Sequence, residues 1–214
     1  MSISSKASTT PAGNAANEYE IVVKLPRQAA QLIAGFIKPY IYTNEFARVD
    51  DMAITLASWS GSRPQADIVA RWLMKLLTEV QSFTGLLNNF SGQPPGTIYM
   101  RLMHAPQWLQ LRNLLTQLSQ YLMRYNGTAM VIPQKFYLTL ASQLPAETYN
   151  SCISSLARLE QCVQVPVNYI EIIEYKTGNK SCQLVQRFQL PEGNTMTNQP
   201  WYLPLHAAPL ATAV

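Results

Sequence analysis

One short apolar pattern occurs twice in the chain, and each copy carries a hydroxyl at the same place. "MAITLAS" runs from Met52 to Ser58, and "KFYLTLAS" runs from Lys135 to Ser142. Aligned on Thr-Leu-Ala-Ser, the two threonines are Thr55 and Thr139, 139 − 55 = 84 positions apart. Threonine is a common strand residue for packing reasons alone, so a structural role stands beside a functional one. Whether such a repeat holds a ligand or cuts one depends on the other reactive groups.

Those groups are few. Tyr99 and Arg101 alternate in "TIYMRLM", which puts both on one face of a strand. If that face lines a cleft, Arg101 pairs with phosphate and Tyr99 stacks on a base; otherwise Arg101 is an edge-strand cation in solvent. Lys135 precedes the second copy and adds positive charge or is simply solvated. Ser58, Trp59 and Ser142 follow the two strands where loops cover a cleft, and Trp59 either stacks on a base or packs. Tyr175 and Lys176 sit near the last hairpin turn. The two histidines, His104 and His206, are far apart; His104 reads as a turn residue before a helix. No P-loop, dinucleotide fingerprint or nucleophile elbow is present, so no cofactor is expected. Cys152, Cys162 and Cys182 lack a metal-ligand spacing. An odd cysteine count without a regular framework predicts reduced thiols and a cytoplasmic setting.

The elements that must position these residues follow from periodicity. "YEIVVKLP" and "MAITLASWSG" read as strands. "RQAAQLIAGFIKPYI", "RPQADIVARWLMKLLTEVQSF" and "PQWLQLRNLLTQLSQYLMRYN" read as amphipathic helices. "AETYNSCISSLARLEQC" reads as a helix reaching Cys162, with Leu159 on its inner side. "VNYIEIIEYKTGNKSCQLVQRFQL" reads as a hairpin. The order is strand, helix, strand, helix, strands, then helix, strand, helix, strands, which gives an α+β protein of two pseudo-symmetric lobes. The 214 residues are 48% hydrophobic and 13% charged, which supports a real core. A net charge of +4 is compatible with anionic ligands but is not a polybasic nucleic-acid footprint. No apolar run is long enough for a membrane span. Residues 1–18 read as a flexible tail, 19–190 as one bilobal domain and 191–214 as a Pro-rich C-terminal extension.

This layout resembles the two-histidine phosphoesterases, the 2′-5′ RNA ligase-like family. The resemblance spans Tyr19 to Leu190. It rests on the opening strand ending in Leu25-Pro26, the first motif followed by Gly61, the helix before the second motif, and the closing hairpin. It implies two antiparallel sheets facing a central cleft, helices outside, and the repeated strand as the central strand of each lobe. In that family each lobe carries a His-x-Thr motif, and the threonines bind the phosphate on which the histidines work. Here both threonines are present and both histidines are absent: Ala53 and Tyr137 stand in their places. Alanine has no ionisable group, and tyrosine is a poor general base at pH 7. The resemblance therefore implies a degenerate member that binds a nucleotide, cyclic oligonucleotide or RNA end without cleaving it. Its ligand-binding residues would be Thr55, Thr139, Tyr137, Arg101, Tyr99, Lys135, Ser58, Trp59 and Ser142, with no catalytic residue and no metal. Two alternatives remain open. One is a protein-interaction module that kept the fold and lost the site. The other is a phosphodiesterase, either active with altered chemistry or inactivated by replacing a histidine at Ala53.

Overall fold

The computed structural model describes residues 17–40, 49–175 and 182–192, with the backbone alone at Asn126. Residues 1–16 of the expected tail, the hairpin turn at Lys176 and most of the C-terminal extension lie outside the described residues, while Asn17 and Glu18, read as the end of the tail, open a strand.

The strands are β1 (Asn17–Lys24), β2 (Ala53–Gly61), β3 (Phe83–Gln93), β4 (Thr97–Leu102), β5 (Tyr137–Ala141), β6 (Cys162–Val167), β7 (Tyr169–Tyr175) and β8 (Cys182–Gln189). The helices are α1 (Arg27–Ile37), α2 (Arg63–Leu76), α3 (Pro106–Asn126) and α4 (Ala146–Leu156). All strand pairs are antiparallel, in the order β6-β3-β4-β5-β2-β1-β7-β8. The α+β, two-lobed plan expected from the sequence is present. Its two halves, β6-β3-β4-β5 and β2-β1-β7-β8, are joined through the single residue pair Ile54↔Leu138. The repeated strands are thus the innermost strand of each half rather than its centre. They meet side by side at the seam.

The helices cover one face of this sheet. Ala30, Ile33 and Ile37 of α1, Ala66, Val69 and Leu73 of α2, Leu111, Leu115 and Leu118 of α3, and Cys152 and Leu156 of α4 share one core with Ile21, Val23, Ile54 and Leu138. Local chemistry fixes where these helices start and stop. At the start of α2, Gln65 Oε1 accepts the Ser62 N–H at 2.8 Å and the Ser62 hydroxyl at 3.2 Å; this holds the first turn as a capping-box glutamine does. Helix α3 opens on Pro106, and Gly127 at its C-cap has φ 65°, the left-handed geometry that glycine tolerates best.

Two expected boundaries are corrected. Helix α2 ends at Leu76, and Phe83, read as the end of that helix, opens β3. Helix α4 ends at Leu156, and Cys162 opens a strand instead of closing a helix. The segment "CVQVPV" alternates buried Val163, Val165 and Val167 with exposed neighbours, a strand period. It lies at the edge of the sheet, where Pro166 costs no ladder bond to a further strand.

The turn between β3 and β4 depends on Gly96. Its φ is +137°, and a Cβ there would lie 2.3 Å from the Leu144 carbonyl oxygen. The Leu144 N–H donates to the Gly96 carbonyl at 3.1 Å, which pins the turn to the segment after β5. Gly96→Ala is expected to lower stability by at least about 2 kcal/mol through backbone strain and this clash, measurable as a fall in Tm.

Candidate ligand-binding site

The candidate site lies on the sheet face opposite the helices, at the seam. Ile54 and Leu138 are fully buried on the core face, so their chain neighbours Ala53, Thr55, Tyr137 and Thr139 point to the other face. Antiparallel pairing at Ile54↔Leu138 then sets Ala53 beside Thr139 and Thr55 beside Tyr137. A local pseudo-twofold axis passes through this pair. The two threonines from sequence positions far apart are brought together as the sequence repeat suggests.

The rest of the repeat has a physical account in the strand register. In the first copy Ile21 pairs with Ala57 and Val22 with Thr55, so Leu56 is an extra residue. In the second copy Ile98 pairs with Ala141 and Tyr99 with Thr139, so Leu140 is an extra residue. Each Thr-Leu-Ala is a β-bulge in the same place. Leu56, Ala57, Leu140 and Ala141 are all buried, since a bulge sends two successive side chains to one side. It also ends the pairing phase of the threonine and re-aims the side chains beyond it.

That re-aiming corrects one predicted site residue. Without a bulge, Trp59 would share the face of Thr55. With it, Ser58 pairs with Glu20 on the open face, while Trp59 turns into the core. Trp59 is buried and stacks on Tyr19, with ring centroids 5.2 Å apart at 15°. It is a packing residue and does not line the seam.

Each strand flanking the seam places one cation beside it. Arg101 pairs with Tyr137, and Lys24 pairs with Ala53. Each half therefore offers one threonine hydroxyl and one cation on the same face. Arg101 is exposed, and its Nη2 donates to the Ser91 hydroxyl at 2.8 Å. The ring of Tyr99, cross-strand from Thr139, lies 4.9 Å from that of Tyr137 at 43°. Thr139 is exposed, and Thr55 is half-buried. Lys135 is exposed in the bend before β5, and Ser142 is exposed just past its end. His104 is exposed in the loop between β4 and α3, outside the strand ladder that carries the two motifs.

Sequence reasoning missed Lys24 and Glu20. Lys24 had a signal: "IVVKL" at Ile21–Leu25 matches "IYMRL" at Ile98–Leu102, so the flanking strands repeat as well. Glu20 is half-buried and accepts a hydrogen bond from the Thr55 hydroxyl at 3.4 Å. Burial pushes its carboxyl above the ordinary range, Glu18 adds to that, and the hydroxyls of Thr55 and Tyr175 partly offset it. Tyr175 is itself pushed upward by burial and by the Glu20 charge. Farther from the seam, buried Glu171 accepts from Arg187 Nε at 2.7 Å. No group of three or more metal-ligating side chains occurs among the described residues, and among them no helix is long and apolar enough to cross a membrane.

No protein-family model and no curated protein matches the sequence. Solved structures are similar in fold. E. coli LigT complexed with 3′-AMP superposes with a TM-score of 0.60 at 14% identity, covering 83% of this chain and 99% of that one. LigT complexed with NADP+ gives 0.60 at 14%, covering 84% and 100%. TT0787 of Thermus thermophilus gives 0.55 at 15%, covering 82% and 98%. The chain has the LigT-like fold along most of its length.

Proposed function

We propose that this protein holds a phosphate-containing ligand at the seam between its halves and does not cleave it. The ligand class is a nucleotide, a cyclic oligonucleotide or an RNA end. One observation carries the reading: each half presents a threonine and a cation, Thr55 with Lys24 and Thr139 with Arg101; Ala53 and Tyr137 stand two residues before the threonines, where the resemblance would put the family's histidines. Two hydroxyls and two cations on one face suit an oxyanion. Nothing at Ala53 takes or gives a proton. LigT has been solved with 3′-AMP, ATP, phosphate and NADP+, which supports an anion site on this fold. Arg101 and Thr139 are exposed on the open face, which favours ligand binding over the alternative of an interaction module with a filled cleft. The three free thiols, Cys152, Cys162 and Cys182, fit a reducing cytoplasm.

The test is calorimetric titration against cyclic dinucleotides and trinucleotides, 2′-5′ and 3′-5′ oligonucleotides, 2′,3′-cyclic nucleotides and nucleoside monophosphates, with ligand recovery by chromatography. Saturable binding with intact ligand is expected. Absence of binding across the panel, or turnover by the purified protein, overturns the reading. Arg101→Gln is expected to weaken the bound member about tenfold or more, because a charge-assisted hydrogen bond contributes about 1.5–3 kcal/mol. Lys24→Gln should act in the same direction.

A further inference from the structure

The two hydroxyls at the seam are not chemically equivalent. Thr139 is exposed and cross-strand from Tyr99. The Thr55 hydroxyl is directed at a carboxylate, Glu20 Oε2, at 3.4 Å. Glu20 reaches it along the open face: Val22 pairs with Thr55, and Glu20 lies one side-chain repeat back on β1, opposite Ser58. On the other side Glu20 pairs with Ile173 of β7, and two residues on, the Tyr175 hydroxyl donates to it. The corresponding place in the other half is Thr97, beside Ile98, which is uncharged.

A threonine hydroxyl has one proton. With Glu20 ionised, that proton points at the carboxylate, and the hydroxyl offers the open face only lone pairs. An anion placed there meets lone pairs and a nearby negative charge. One added proton removes both obstacles. A protonated Glu20 donates to Thr55 Oγ1, and the Thr55 hydroxyl turns to donate to the anion. No bond between heavy atoms changes; one O–H bond forms at the Glu20 carboxyl as one breaks in hydronium.

We propose that Glu20 is a positioning residue that acts through Thr55 and couples phosphodiester binding to uptake of one proton. The inference rests on the phosphate-binding reading above. The charged and titratable groups around Glu20 fit this role. Glu18 on its own strand opposes its ionisation, and burial acts in the same direction. Thr55 and Ser58 face it from β2, and Tyr175 faces it from β7, with Asp51 and Cys182 acting on Tyr175 in turn. The folded carboxyl of Glu20 is thus already easier to protonate than a free one, and a bound anion raises it further. Affinity is flat below the free protein's Glu20 pKa and falls about tenfold per pH unit above it, until the pKa of the complex is passed.

The probe is 2′,3′-cyclic AMP, whose phosphodiester takes up no proton near neutrality. Calorimetry at matched pH in two buffers of different ionisation enthalpy counts the protons. Uptake approaching one per ligand is expected for the wild type. Glu20→Gln should bind the probe with no proton uptake and with pH-independent affinity. Without ligand, wild-type stability should decline as pH rises through the raised Glu20 pKa, and Glu20→Gln should lack that decline; this shows that the variant is folded and that Glu20 titrates. Binding without proton uptake in the wild type, or unchanged uptake in Glu20→Gln, overturns the coupling and leaves the binding reading intact. Absence of binding by both proteins from acid to neutral pH overturns the binding reading and the coupling with it.

Discussion

Ala53→His combined with Tyr137→His is expected to turn this protein into a phosphodiesterase. The seam supplies the spacing. Ala53 and Tyr137 are diagonal neighbours about the Ile54↔Leu138 pair, a relation that sets α carbons about 7–8 Å apart across antiparallel strands. Imidazoles rooted there flank one phosphorus, with Thr55 and Thr139 beside them to hold its oxygens. One imidazole takes the proton of an attacking hydroxyl, and the other gives one to the leaving oxygen. Each such group contributes roughly 10²–10⁴ in rate, and the double variant should far exceed either single one because both steps are needed. The assay is release of product from 2′,3′-cyclic nucleotides, followed by chromatography at pH 6 to 8, where an imidazole switches charge. A double variant that binds ligand tightly yet releases no product would falsify this account of the seam. So would a wild-type protein that already cleaves at a comparable rate.

Thr55→Val combined with Thr139→Val is expected to abolish ligand capture while leaving the fold in place. Valine keeps the branched shape at Cβ and suits a strand. Each lost hydroxyl removes a hydrogen bond to an anion, about 1.5–3 kcal/mol, and each 1.4 kcal/mol is about tenfold in affinity. The double variant should therefore lose about a hundredfold or more, with Tm close to wild type. Thr139→Val alone is the cleaner single change, because Thr55→Val also removes a donor from Glu20. Unchanged affinity in the double variant would place the ligand elsewhere on the protein.

Much of this arrangement is legible in the sequence because the chain repeats itself. Two Thr-Leu-Ala-Ser strands, two preceding helices and a closing hairpin announce two halves, and the alternation around Arg101 and Tyr99 puts both on one face. The features that are harder to read share a cause. Trp59 reads as a residue over the cleft, but β2 runs on to Gly61 and a bulge at Leu56-Ala57 flips its phase. A bulge leaves only a weak mark in a sequence: two apolar residues in succession. Strand β6 is obscured because "CVQVPV" lies close behind a helix and contains Pro166, which argues against a central strand and fits an edge one. Glu20 is obscured because an acid near the start of an apolar strand reads as solvated. Only the cross-strand register shows that it shares the open face with Thr55 at the candidate site.

The seam pair has a further consequence. The two hydroxyls and two cations are related by a pseudo-twofold axis, but the residues beside them are not: a methyl group at Ala53 faces a phenol at Tyr137, which is already engaged with Tyr99. The seat is matched in hydroxyls and cations and lopsided in bulk. On the proposed reading, a molecule with distinct ends should fit it one way round, with its wide end over Ala53 and its narrow end against the phenol. A pair of histidines would give both ends similar bulk. With Ala53 and Tyr137 there instead, the proposed seat reads direction.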